Sequence, residues 1–124
     1  MLGDSILQAI ITTARPEASK AFYQDKLGLK LVEDNQFGFV FAGQVGFLRV
    51  AKLSVVMPAT NAVAGFMVVD VAQTAADLAA KGVALERFAF LQHDAAGLWT
   101  APDGGKVGWF RDPDLNLLSI SQRP

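Results

Sequence analysis

Short apolar runs separated by turn residues dominate the chain. Ser5 to Thr13 is mostly apolar and predicts a buried strand. Alternation puts Ile6, Gln8, Ile10 and Thr12 on one face and Leu7, Ala9 and Ile11 on the other. A helix is predicted from near Pro16, a residue tolerated in a first turn, with Glu17 against the positive end of its dipole. Ala18, Ala21, Phe22 and Asp25 or Lys26 have helical spacing, and Phe22 is the expected core anchor. The helix should end near Lys26, and Gly28 precedes a strand. Strands are then expected at Leu29–Asp34, Phe37–Ala42 and Val45–Val55, with Glu33-Asp34-Asn35 and Ala42-Gly43-Gln44 as turns. Met57 to Ala62, with Pro58 and Asn61, reads as a connector.

The order then repeats. Val63–Val69 predicts a strand, Asp70 a helix N-cap, and Val71 to Lys81 an alanine-rich helix with Val71, Ala75, Leu78 and Ala79 on one side. Gly82 closes that helix, and Val83–Phe88 predicts the next strand. Lys81-Gly82-Val83-Ala84-Leu85 falls where Leu27-Gly28-Leu29-Lys30-Leu31 fell in the first half. The second copy carries an insertion, roughly Leu91 to Gly105, with the lone histidine His93, Trp99 and a Pro102-Asp103-Gly104-Gly105 turn. Long loops of this kind are often functional. The tail, Gly108 to Ser121, predicts a strand, a tight turn at Asp112-Pro113-Asp114-Leu115-Asn116 and a last strand.

Composition narrows the function classes. At 124 residues the chain fits one domain. Its net charge of −1 gives no footprint for nucleic acid or an anionic membrane. No apolar run is long enough to span a bilayer, and Asp4 with no basic leader argues against a signal peptide. The absence of cysteine removes disulfides, thiolate metal sites and a cysteine nucleophile, and fits a cytoplasmic protein. There is no Gly-x-Ser-x-Gly, phosphate loop or dinucleotide fingerprint.

Two stretches together, Ala21-Phe22-Tyr23-Gln24-Asp25-Lys26-Leu27-Gly28-Leu29 and Trp109-Phe110-Arg111-Asp112-Pro113-Asp114-Leu115-Asn116, resemble the vicinal oxygen chelate superfamily of glyoxalases, bleomycin-resistance proteins and extradiol dioxygenases. Leu115 stands where that family usually has glycine, which reaches positive φ freely as leucine does not. The resemblance implies an α+β fold of two βαβββ modules, about 1–57 and 62–124, in one domain. The modules would form a curved mixed sheet with helices outside and a concave cleft inside. It also implies a homodimer.

Metal-dependent members bind a divalent ion on the concave face through His, Gln or Glu. Carried onto this chain, those positions fall at Gln8, about Arg49, Val63 and Ser119. Divalent ions need oxygen or imidazole donors, usually three or more. Val63 has none, Arg49 is a cation, and Ser119 is a poor neutral ligand. The expectation is therefore no metal cofactor, with a divalent metal as the alternative. Alternation places Ile6, Ile10, Phe47, Ala51, Met67 and Ser121 beside these positions. That lining suits a partly apolar organic ligand whose carboxylate or carbonyl is held by Arg49 and Gln8. The competing reading has Arg49 on an exposed rim or paired with Glu33 or Asp34. His93 is either a base lining the cleft or part of a solvated loop. Trp99 and Trp109 either stack on a flat ligand or pack structurally. Glu86, Asp94 and Asp103 offer no paired spacing for acid–base work. Two functions follow: a metal-free binding module that sequesters a small molecule through residues such as Gln8, Phe47, Arg49, Met67, His93, Trp99 and Ser119, or a glyoxalase/dioxygenase-type lyase or oxidoreductase, with an atypical metal site or acting without metal through Arg49 and His93.

Overall fold

The computed structural model describes residues 1–124 and resolves into two compact units, Met1–Met57 and Pro58–Pro124. The first unit runs β1 (Gln8–Thr13), α1 (Pro16–Ala21), β2 (Lys30–Asn35), β3 (Gly38–Ala42) and β4 (Phe47–Lys52). Its sheet has the order β1-β4-β3-β2, with β1 parallel to β4 and the other pairs antiparallel. β1 begins at Gln8, later than the apolar run predicts; Leu2–Asp4 forms a 3-10 turn, and Ile6 and Leu7 lie outside the sheet and are exposed. β4 is likewise shorter than the expected 45–55: Phe47 to Lys52 pairs with β1, and Phe47 to Ala51 also pairs with β3.

Alternation sorts the side chains. Ile11, Thr13, Phe39, Phe41, Leu48 and Val50 are buried on one face. Tyr23, wholly buried, packs its ring 5.6 Å from Phe41 on that face and 5.2 Å from Phe22. The buried side of the helix is therefore Ser19, Phe22 and Tyr23, at i, i+3 and i+4. Ala18 and Ala21 are exposed, contrary to the sequence expectation, although Phe22 is a core anchor. Beyond Ala21 the helix widens into a π-turn over Phe22–Lys26. Lys20 on α1 donates to Asp34 on β2 at 2.8 Å and ties the helix to the far edge of the sheet.

The second unit repeats the plan with β5 (Ala64–Met67), α2 (Val71–Ala80), β6 (Trp99–Thr100), β7 (Lys106–Arg111) and β8 (Leu117–Gln122), in sheet order β5-β8-β7-β6. β5 is parallel to β8, and the other pairs are antiparallel. Asp70 caps α2 by accepting from the Gln73 amide at 3.1 Å, and the Gln122 side chain accepts from the Val71 amide at 2.9 Å. Val71, Ala75 and Leu78 form its buried face; Ala79 points outward.

Val83–Phe88 is not a strand. The Val83 amide returns to the Leu78 carbonyl, and Glu86 makes one backbone bond, to Trp109, at 2.7 Å. The outer edge of β7 at Lys106 and Val107 is taken instead by Thr100 and Trp99, so the third partner strand comes from inside the insertion. Gly108 explains how both segments fit. A Cβ there would lie 2.8 Å from Leu85 and 3.0 Å from Leu98, side chains that rest on the glycine backbone. The fold is α+β: two four-stranded mixed sheets, each built as βαβββ.

Candidate functional site

Each sheet has one face turned away from its buried core, and the predicted site residues other than His93 lie on these faces. In the first unit, register aligns Gln8 with Phe47 and Ala42, and Ile10 with Arg49, Val40 and Glu33. Gln8 is exposed, Ile10 and Phe47 are substantially so, and Arg49 stands among them. A bulge at Val32 brings Glu33 onto this rung, where its carboxylate lies 3.9 Å from the Arg49 guanidinium. The pair is long and open to water, so it contributes little and leaves the cation available to an anion. The Glu33 alternative foreseen for Arg49 is the arrangement present. Asp34 points to the helix side instead, and the hydrogen bond from Lys20 holds its carboxyl below the ordinary carboxylate range.

In the second unit one rung holds Gly65, Ser119 and Trp109, and the next holds Met67, Ser121, Val107 and Trp99. Met67, Trp99 and Ser119 thus share one face, as do Trp109 and Val63 by alternation. Trp109 is the hub of an aromatic cluster. Its ring lies 6.2 Å from Trp99, 5.5 Å edge-on from Phe88 and 6.4 Å from His93. Phe90 stacks on Phe88 at 5.6 Å and is itself 81% exposed. Arg111, two residues beyond Trp109, pairs with Glu86 at 3.3 Å and donates to the Leu115 carbonyl.

His93 is held in place by the backbone. Nε2 accepts from the Phe88 amide at 2.9 Å, and Nδ1 faces the Gly97 carbonyl at 2.8 Å. A carbonyl can only accept, so the proton sits on Nδ1 and both nitrogens are engaged. This imidazole bridges the two ends of its loop and has no nitrogen left for a substrate proton. Arg87 donates to the Asp94 and Ala95 carbonyls, and Asp94 accepts from the Ala96 and Leu98 amides. The expected unstructured insertion is therefore a pinned loop.

Of the positions that the resemblance assigns to metal ligands, Val63 is alkyl and Arg49 is a cation beside Glu33. Sequence reasoning missed the Glu86–Arg111 pair and the part played by Phe88 and Phe90. The alternation Phe88-Ala89-Phe90 was visible, but its meeting with Trp109, about twenty residues on, carries no local signal.

A duplicated βαβββ chain with one open face on each sheet has the architecture of the glyoxalase fold. The profile of the Glyoxalase/Bleomycin resistance protein/Dioxygenase superfamily matches residues 5–120, and the chain belongs to that family. No functionally curated protein sequence matches it. Among solved structures it is similar to a glyoxalase family protein from Enterococcus faecalis, with TM-score 0.75 and 21% identity over 98% of this chain and 99% of that one. It is also similar to lactoylglutathione lyase from Agrobacterium tumefaciens, with TM-score 0.74 and 18% identity over 96% and 93%. A bleomycin resistance determinant encoded on the transposon Tn5 gives TM-score 0.75 and 17% identity over 94% and 96%. At these identities the likeness is one of fold. No helix is long and apolar enough to cross a membrane.

Proposed function

We propose that this chain is a metal-free binding protein of the glyoxalase/bleomycin-resistance type that holds a small, partly apolar organic ligand on the open face of its first sheet. The observation that supports it most directly is the donor set. Of the four positions where the family would place metal ligands, only Gln8 offers a good donor, while Arg49 brings a cation. Around these two lie Ile10 and Phe47, so a ligand with an apolar body and a carboxylate or carbonyl has partners for both parts. The fold shared with the bleomycin resistance determinant is consistent with sequestration. Cytoplasmic location and a homodimer belong to the same reading. The first rests on the lack of cysteine, the second on exposed apolar side chains such as Leu7 and Val45.

Metal analysis of gently purified protein separates this function from a metal-dependent lyase or dioxygenase; stoichiometric Ni, Zn, Fe or Mn would overturn it. A thermal-shift screen across aromatic acids and 2-oxo acids should yield a ligand that raises the melting point. Arg49→Ala should then weaken an acidic hit by about 1–2 kcal/mol, read by calorimetry. Unchanged affinity would remove Arg49 from the site.

A further inference from the structure

We infer that the open face of the second sheet carries a shelf for a flat, fused aromatic ring system with a hydrogen-bonding edge. The inference rests on the reading that the chain binds a small organic molecule. The wall of the shelf is the indole pair Trp99 and Trp109, 6.2 Å apart with planes 36° from parallel. Both rings are partly open to solvent.

The neighbours of Trp109 across the sheet are small. Ser119 is its partner on β8, and Gly65 is the partner of Ser119 on β5. A Cβ on Gly65 would sit 2.5 Å from the Ser119 hydroxyl oxygen, so that hydroxyl leans over bare glycine backbone and keeps the floor low. Ser121 on the next rung adds a second hydroxyl. An indole wall beside a low floor edged with hydroxyls matches a plate-like molecule that stacks by one face and hydrogen-bonds by one edge.

Charge selects further. The only cation on this face near Trp109, Arg111, is already paired with Glu86 and bonded to the Leu115 carbonyl, so the shelf asks for a neutral ring system. The wall is pre-set. Phe88 meets Trp109 edge-on, and its amide is fixed by His93, which spans the loop to Gly97. Little ordering is left to be lost on binding.

The chain contains two tryptophans, both in this wall, so its tryptophan emission reports on the shelf alone. The test is titration of the full chain with 2-naphthol and with its saturated counterpart, 2-decalol. The first should change tryptophan emission saturably and bind at least about tenfold more tightly than the second, the difference being ring stacking. Trp99→Leu should lower naphthol affinity by about tenfold while keeping a cooperative melt. If that variant does not fold, Gly65→Ala decides, since it raises the floor by one methyl on an open face and should weaken naphthol similarly. Equal binding of the two probes, wild-type affinity in the folded variants, or no saturable binding below about 1 mM would each overturn the shelf. Neither probe carries an acid group for Arg49, so the shelf can fail while an acidic hit still binds, and the reverse.

Discussion

Single residues in the Asp112–Asn116 turn carry much of the local energetics. Asp112 is buried, and its two carboxylate oxygens accept from the Asp114 amide, the Asn116 amide and the Asn116 side chain, each at 2.9 Å. Removing them strands buried donors, so Asp112→Ala should cost about 2–4 kcal/mol in denaturant unfolding. Leu115 pulls the other way. Its φ is 68°, a left-handed conformation that costs a β-carbon-bearing residue about 1–2 kcal/mol. Its side chain is 57% exposed, so little burial is lost by trimming it. Leu115→Gly should stabilise the protein by up to about 1 kcal/mol once the entropy of glycine in the unfolded chain is subtracted. A midpoint moving downward would show that the leucine packing outweighs the strain. Asp112 and Asn116 as turn formers were legible in sequence, as was the departure at Leu115, because turn chemistry is local. The turn keeps positive φ with leucine in place, with the Leu115 amide donating to the Asp112 carbonyl and the Leu115 carbonyl accepting from Arg111.

Among the elements, α1 is tied to its sheet by a polar link, and the π-turn that follows it by Tyr23. The link is Lys20 to Asp34, which are partly exposed, and it keeps the Asp34 carboxyl below its ordinary range. A carboxyl whose folded value is depressed stabilises the fold above its unfolded value, and that contribution disappears as pH falls through the folded one. The gap in melting temperature between wild type and Asp34→Asn should therefore be full at neutral pH and close in acid below the usual carboxylate range. A gap that stays constant down to strong acid would mean that the link makes no charge-dependent contribution. Elements with strong periodicity, β1, β3, β7 and α2, were legible in sequence. Val83–Phe88 was not: in the fold it makes one backbone bond to β7, from Glu86 to Trp109, while Trp99 and Thr100 pair with Val107 and Lys106. Which segment pairs along that edge is a tertiary matter.

For the whole molecule, the family and the duplicated plan stand on the profile match and on two sheets with corresponding strand orders. Large apolar side chains nonetheless remain open, among them Leu7, Val45, Met57 and Val69. Covering them by self-association predicts a sedimentation mass of twice the 13.3 kDa chain at micromolar concentration. A single species at the chain mass would rule the homodimer out.

The linear order of apolar and turn residues, with the Phe-Tyr and Asp-Pro-Asp signatures, was enough to point to the βαβββ plan, because strand alternation and capping are properties of residues near one another in the chain. What only folding decided is which distant residues meet. His93 became a backbone bridge rather than a base, Arg49 found Glu33 across Val40, and two tryptophans from separate strands joined with Phe88 in one wall. Those meetings depend on register and on which strand wins an edge, and both are settled by the free energy of the assembled sheet rather than by any single segment.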